Sequence, residues 1–323
     1  MYSSKSLFLL TTMLGTILTM SSNNWISMWM GVELNMLSFI PLMSKTKSKA
    51  SAEASMIYFL VQSMSSMILM FSVLMMMNES TMNIIFNNIL MMSLMIKLGA
   101  APFHMWLPEM MSKISWNNCL LLMTWQKLAP LMMMSNVQIN QKTLFMASIL
   151  SAMIGAVGGL NQSSMRKLMA YSSINHLGWM ISINKIQNNW LFYWTIYSIM
   201  NALICFTFNK YNIFFINQIN MMNLTMTEKF GYITSMLSMG GLPPFIGFLP
   251  KWIVIQTLTQ DKLYLIPITL IMMSMITLFF YMRTMTSMFL NNMAVNKWNF
   301  YNKMTIMPML MIMFNLSLPM IMV

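Results

Sequence analysis

Four ionisable side chains sit inside oily stretches of the chain: Glu33 in "GVELNML", Lys97 in "MIKLGAAPF", Lys127 in "TWQKLAP" and Lys251 in "FLPKW". In a bilayer each charge at a span centre costs roughly 2.5 to 3.5 kcal/mol on insertion scales, and four cost on the order of 10 kcal/mol. Glu33, Lys97 and Lys127 fall near the midpoints of their apolar runs. A lysine stem of about 6 Å cannot lift its ammonium from there to an interface about 15 Å away. Lys251 lies closer to the end of its run, where snorkelling is the alternative. Three lysines and one glutamate cannot all be ionised together in a low dielectric, so their titrations must be coupled. Groups whose proton occupancy depends on one another's charge are what stepwise proton transfer requires. His104 and His176 could relay protons through water, or could simply be held by backbone carbonyls. The sequence shows no metal-ligand cluster and no nucleophile beside a base.

The elements that carry these groups follow from composition. Of 323 residues 58% are apolar and 7% charged, too few charges to cover a soluble surface. The fold class expected is all-α, a polytopic membrane protein in a single transmembrane domain. Eleven apolar runs are long enough to cross a hydrocarbon core of roughly 30 Å as helices, near 6–22, 25–43, 53–77, 84–111, 116–136, 143–160, 168–185, 190–209, 230–258, 264–283 and 304–322. The longest pieces outside them, about 210–229 and 284–303, leave no room for a catalytic head. Lys5 before an apolar run resembles a signal peptide, but no small-residue cleavage pattern follows, and the segment reads as helix 1.

The net charge of +12 would suggest nucleic acid in a soluble chain, whereas here it reports topology. With alternate loops on opposite sides, one side receives twelve basic residues, among them Lys45, Lys47, Lys49, Arg166 and Arg283, and the other receives Lys142, Lys185 and Lys262. The N-terminus is therefore expected on the protein-synthesising side and the C-terminus across the membrane. Cys119 and Cys205 are isolated and offer neither a cluster ligand set nor a disulfide framework. Fifty methionines beside two arginines point to an AT-rich genome that reads an extra codon as Met, as animal mitochondria do. "GAVGGL" at 155–160 lacks the strand context of a dinucleotide fingerprint and reads as small residues that let helices approach.

One interruption is written twice. "GAAPFHMWLPE" starts at Gly99 and "GLPPFIGFLPK" at Gly241, 142 residues later, sharing five of eleven positions. Pro102, Pro243 and Pro244 each remove a backbone donor and clash with the preceding turn, freeing carbonyls that lipid cannot satisfy. Such breaks belong beside water or polar side chains. An offset of 142 lays five helices, about 6–136, over the next five, about 143–283, with an extra C-terminal helix at 304–322. Five being odd, the second copy must enter from the opposite side, giving two inverted five-helix repeats with broken helices and a buried ion pathway. At that offset Glu33 falls on Asn175, so the second copy lacks its carboxylate.

"GVELNMLSFIPL", "KLGAAPFHMWLPE", "MTWQKLAPL", "GGLNQSSMRKLMAYSSINHLGWM" and "GGLPPFIGFLPKW" together resemble the mitochondrial NADH:ubiquinone oxidoreductase chain 2 family, the antiporter-like membrane subunits of respiratory complex I, from about residue 20 to 285 and most closely in insect form. The resemblance implies a fourteen-helix ancestor related to Mrp-type antiporters, shortened by three N-terminal helices. It places Glu33 and Lys97 as the Glu/Lys pair beside the first break, Lys127 as the central lysine and Lys251 as the terminal lysine, where some relatives carry Glu. The function it implies is proton translocation across the mitochondrial inner membrane, driven by electron transfer from NADH to ubiquinone, by a mitochondrially encoded chain with its N-terminus in the matrix and its C-terminus in the intermembrane space. Its partners would be the lipid bilayer and the other membrane-arm subunits, with no nucleic acid; NADH, FMN, iron-sulfur clusters and ubiquinone would sit elsewhere in the complex, and no redox centre in this chain. Two other functions fit the residues: an autonomous cation/proton antiporter on the same fold, and a structural subunit that moves no protons.

Overall fold

A computed structural model describes residues 2–44, 48–78, 83–137, 140–185, 189–220, 225–290 and 306–317. Among them the chain forms α1 (Tyr2–Ser21), α2 (Trp25–Ser44), α3 (Lys49–Asn78), α4 (Asn83–Leu98), α5 (Trp106–Lys113), α6 (Trp116–Met123), α7 (Trp125–Asn136), α8 (Gln141–Gly159), α9 (Met165–Ile183), α10 (Trp190–Tyr211), α11 (Ile216–Asn220), α12 (Met226–Gly240), α13 (Phe248–Gln260), α14 (Leu265–Leu290) and α15 (Ile306–Asn315). The described residues contain no strand beyond one isolated antiparallel bridge, Ser164 with Phe215. Among the described residues, the first ten apolar runs each overlap one helix or a broken pair of helices, and the last overlaps α15 over Ile306–Asn315. Lys45, Lys47, Lys297, Lys303 and the end of the last run lie outside the described residues.

Five of the described helices are long and apolar enough to cross a membrane, within α2, α3, α8, α10 and α14. Their packing is that of a chain with lipid outside. On α3 the outward face is Met56, Leu60, Met64, Met67, Phe71 and Leu74, while Gln62, Ser65, Ser66 and Ser72 are buried. The serine hydroxyls donate to carbonyls of the preceding turn, for instance Ser65 to Gln62 and Ser72 to Leu69, so no polar hydrogen is wasted in the interior.

The chain divides into two compact units, Met1–Ser151 and Ala152–Val323. Each contains a close helix crossing built on a glycine. In the first, a Cβ on Gly15 would lie 2.8 Å from the Gly31 carbonyl and 3.0 Å from the Asn35 amide, so α1 and α2 approach backbone to backbone. In the second, a Cβ on Gly155 would lie 2.8 Å from the Tyr171 carbonyl and 2.5 Å from the Asn175 amide, joining α8 to α9 in the same way. The partners of these two crossings are spaced alike, at an offset of 140, so that Asn175 takes the position in its unit that Asn35 takes in the other, and Ser173 the position of Glu33.

At the breaks the offset is 142. α4 ends at Leu98 and α12 at Gly240; the next residues, Gly99 and Gly241, have φ of 68° and 80°; α5 resumes at Trp106 and α13 at Phe248. Glycine is required at both, since the left-handed conformation costs an L-residue about 1–2 kcal/mol. The prolines follow three residues later, Pro102 and Pro244, and again at Pro108 and Pro250, the third position of each new helix, where a missing N–H leaves no bond unmade. A third interruption was not foreseen. The run 116–136 breaks at Thr124 (φ −110°, ψ −70°), between α6 and α7. Pro130 lacks the N–H that would bind the Gln126 carbonyl one turn earlier, which loosens the helix at this point.

Candidate functional site

In the first unit the break leaves carbonyls of the last turn of α4 without helical partners. Gly99 donates to Ile96 and Ala100 to Met95 through the backbone, at 3.2 and 3.1 Å. Two side chains complete the cap: the Trp106 indole donates to the Ile96 carbonyl at 3.2 Å and the Gln62 amide to the Lys97 carbonyl at 3.3 Å. Neutral donors thus close the broken end. The Lys97 ammonium, itself buried, has no protein partner within hydrogen-bonding distance.

Lys97 and Lys127 line one cavity of about 20 Å³ with Asn35, Tyr58, Gln62 and Gln126. That volume suits a single water. A directed chain of hydrogen bonds forms part of the wall: the Tyr58 hydroxyl donates to Gln126 Oε1 at 3.2 Å, and Gln126 Nε2 donates to Asn35 Oδ1 at 2.9 Å. Glu33, two residues before Asn35 on α2, interacts electrostatically with both Lys97 and Tyr58 but forms no ion pair with Lys97, and its Oε1 is a buried acceptor without a donor. Glu33 Oε1 and Lys97 Nζ are thus two buried polar atoms without a hydrogen bond. Such atoms are where buried water is held.

The corresponding break in the second unit is closed differently. Lys251, one turn into α13, bends back so that its Nζ donates to the Gly240 carbonyl at 2.7 Å, capping α12 with a cation. The same ammonium lies 5.8 Å from the centre of the Trp179 ring. A Cβ on Gly241 would come within 2.6 Å of Lys251 Nζ, so the glycine supplies the space the side chain occupies. Lys251 is buried and engaged, and does not snorkel. Glu109, its counterpart in the first copy, is exposed.

The histidines are separate features. His104 Nδ1 lies 3.1 Å from the Pro102 carbonyl inside the first break, the backbone-held arrangement considered above. His176 Nδ1 meets the Tyr193 hydroxyl at 2.8 Å, with the Tyr197 ring 4.8 Å from its own. Pro102, Pro243 and Pro244 all lie in the breaks. The residues of the site that the sequence reading missed are Tyr58, Gln62, Gln126 and Asn35. "TWQKLAP" displays Gln126 beside Lys127, yet nothing local says that its amide reaches Asn35, 91 residues away.

Over residues 22–280 the chain matches the family described as NADH:quinone oxidoreductase/Mrp antiporter, TM. It is similar to NADH-ubiquinone oxidoreductase chain 2 of Locusta migratoria, 47% identical over 302 residues that cover 92% of this chain and 88% of that one. It is also similar to the protein of the same name from Bos taurus, 39% identical over 339 residues, covering 97% and 95%. Among solved structures, a chain of respiratory complex I from Thermus thermophilus has the same fold, with a TM-score of 0.85 at 19% identity over 98% of this chain and 79% of that one. A chain of the Mrp complex from Dietzia sp. DQ12-45-1b superposes with a TM-score of 0.74 at 16% identity over 88% and 59%.

Proposed function

Because the chain belongs to the NADH:quinone oxidoreductase/Mrp antiporter transmembrane family, we propose that it is a proton-translocating membrane subunit of respiratory complex I in the mitochondrial inner membrane, coupling electron transfer from NADH to ubiquinone to proton movement. The observation that carries this reading is the cavity shared by Lys97 and Lys127 beside a broken helix. Two ammonium groups that border one small cavity repel each other, so a proton arriving on one favours departure from the other. Glu33 biases that exchange from the Lys97 side. In the second unit Lys251, tied to the end of α12, is the corresponding proton carrier with His176 as an accessory relay, and His104 is the accessory relay of the first unit.

Eleven spans, made of the long helices, the shorter apolar ones and the three broken pairs, cross the membrane as two inverted five-helix repeats with α15 beyond them. The N-terminus then faces the matrix and the C-terminus the intermembrane space. The chain, encoded in the mitochondrion, holds no redox centre of its own; NADH, FMN, iron-sulfur clusters and ubiquinone bind elsewhere in the complex, and its partners are the other membrane-arm subunits and lipid. Quinone reduction changes the charge felt at these lysines, and their protons are taken up on one side and released on the other.

Lys127→Met tests the reading, since it keeps length and apolar volume while deleting the proton site. The variant complex should assemble and oxidise NADH normally with an artificial acceptor that draws electrons upstream of quinone. Its quinone reductase rate and its protons pumped per electron should both fall severely. Wild-type values of both in an assembled complex would leave a structural subunit as the better description.

A further inference from the structure

In the repeat scheme proposed above α15 belongs to neither copy, yet within the second unit it reaches the break. It buries the stripe Pro308, Met311 and Asn315, at spacings of three and four residues, and turns Met309, Leu310 and Met313 outward. The stripe packs on α12. The two helices come close at Gly231, where a Cβ would lie 3.2 Å from the Pro308 carbonyl. They are joined again at the end of α15, where the Asn315 carbonyl accepts the Ile246 amide at 3.1 Å. Ile246 lies between α12 and α13, inside the second break. α15 therefore runs the same way as α12 and delivers its last carbonyls to the interruption.

That hydrogen bond answers two deficits at once. The last carbonyls of a helix and the amides of a broken one both lack helical partners, and lipid supplies none. Ile246 and Asn315 are both buried. On its other side the same loop is pressed against α12, since a Cβ on Gly247 would collide with the Ser238 carbonyl. The loop is thus fixed from two sides just before α13 begins at Phe248. The Leu249 amide donates back to the Ile246 carbonyl at 3.1 Å, so the seat of Ile246 sets the first turn of α13, from which Lys251 reaches the Gly240 carbonyl. The Asn315 side chain adds to this. It is 1% exposed, and neither its Oδ1 nor its Nδ2 is hydrogen-bonded. In the first unit the amide of Gln62 answers a carbonyl of the break directly. Unspent buried amide atoms are where water is held, and water on Asn315 would sit beside the loop that its carbonyl already binds.

Resting on the function proposed above, we propose that Asn315 is a positioning residue for Lys251: α15 presents its last carbonyl, and through water its amide, to the second break, and so keeps Lys251 on the Gly240 carbonyl. It acts through the loop between α12 and α13 and takes no proton itself. The helix outside the repeats thereby supplies the second break with what α3 supplies to the first.

Two substitutions test this in the assembled complex. Gly231→Leu drives α15 off α12 at Pro308, about 14 Å along α12 from the break, and should draw the Asn315 carbonyl away from Ile246. A density map of this variant should show Lys251 Nζ off the Gly240 carbonyl. Its protons pumped per electron should fall about twofold or more, because a displaced carrier loses its transfer geometry. Asn315→Leu keeps the main-chain carbonyl and removes only the amide, so the pumping ratio should fall less. A residue kept for packing alone would cost heat stability when changed, whereas replacing an amide without partners by an apolar group of like size should leave the inactivation temperature unchanged or raise it. Lys251 still on the carbonyl in Gly231→Leu overturns the proposal. Lys251 displaced with pumping unchanged supports the positioning and sinks instead the role given to Lys251 in the function. Should Gly231→Leu not assemble, Asn315→Leu decides: a lowered pumping ratio at undiminished heat stability supports the proposal, and a wild-type ratio overturns it.

Discussion

The two helix breaks share a backbone plan and differ in what closes it. Each ends a helix on a left-handed glycine, places a proline three residues on and resumes the helix at an aromatic residue, Trp106 or Phe248. At the first, Gln62 and Trp106 satisfy the freed carbonyls and leave the Lys97 ammonium facing a cavity. At the second, Lys251 satisfies the Gly240 carbonyl itself. The partial negative charge at a helix C-terminus favours a cation there by about 0.3–1 kcal/mol at an exposed end and up to roughly 2 when partly buried. One break thus leaves its lysine without a hydrogen bond, and the other holds its lysine against a carbonyl. The backbone plan alone does not set the state of the lysine; the donors that answer its carbonyls do.

The largest expected effect that separates the two is at their glycines. Gly241→Ala forces a left-handed alanine, at about 1–2 kcal/mol, and displaces Lys251 from its carbonyl, a charged hydrogen bond worth about 1.5–3 kcal/mol more. The complex should assemble in low yield, and what assembles should pump few protons per electron. Gly99→Ala meets the same backbone strain, but the nearest obstacle is the end of the Leu107 side chain, 2.8 Å from the new Cβ, which can rotate away. It should cost about 1–2 kcal/mol and leave the pumping ratio largely intact. Blue-native yields and pumping ratios of the two variants compare the breaks directly, and equal losses of coupling would show that the closing donors do not matter.

The smallest effect is at the neutral cap. Gln62→Leu deprives the Lys97 carbonyl of its amide donor, a loss of about 1 kcal/mol in stability. The assembled variant should lose activity at a slightly lower temperature and lose a small part of its coupling, because Gln62 also bounds the cavity of Lys97 and Lys127. A collapse of pumping with unchanged thermal inactivation would move Gln62 from the cap into the proton pathway.

Much of this was legible in the sequence, and the reasons differ by feature. Apolar runs locate helices because lipid requires every backbone group to be bonded within its own segment, and among the described residues the runs overlap helices. The Gly and Pro pattern locates both breaks to the residue, since few sequences permit that backbone. The Thr124 interruption was hidden because Pro130, inside an apolar run, does not show how the preceding turn will yield. That the glycine crossings match at 140 residues and the breaks at 142 was not legible, because which backbone a glycine packs against is not written in the local pattern. The caps and the cavity wall were invisible, being made by side chains that meet across 35 residues at Gln62 and Lys97 and 68 at Tyr58 and Gln126.

We propose that Lys97 and Lys127 exchange protons inside the first unit through the space they share. A density map of the assembled complex, at a resolution that shows ordered solvent, tests it most directly. The account predicts one water in the cavity bounded by Asn35, Tyr58, Gln62 and Gln126, within hydrogen-bonding distance of both ammonium groups, and further water at the open oxygen of Glu33. A side chain filling that cavity, or the two lysines walled apart by apolar atoms, would contradict it.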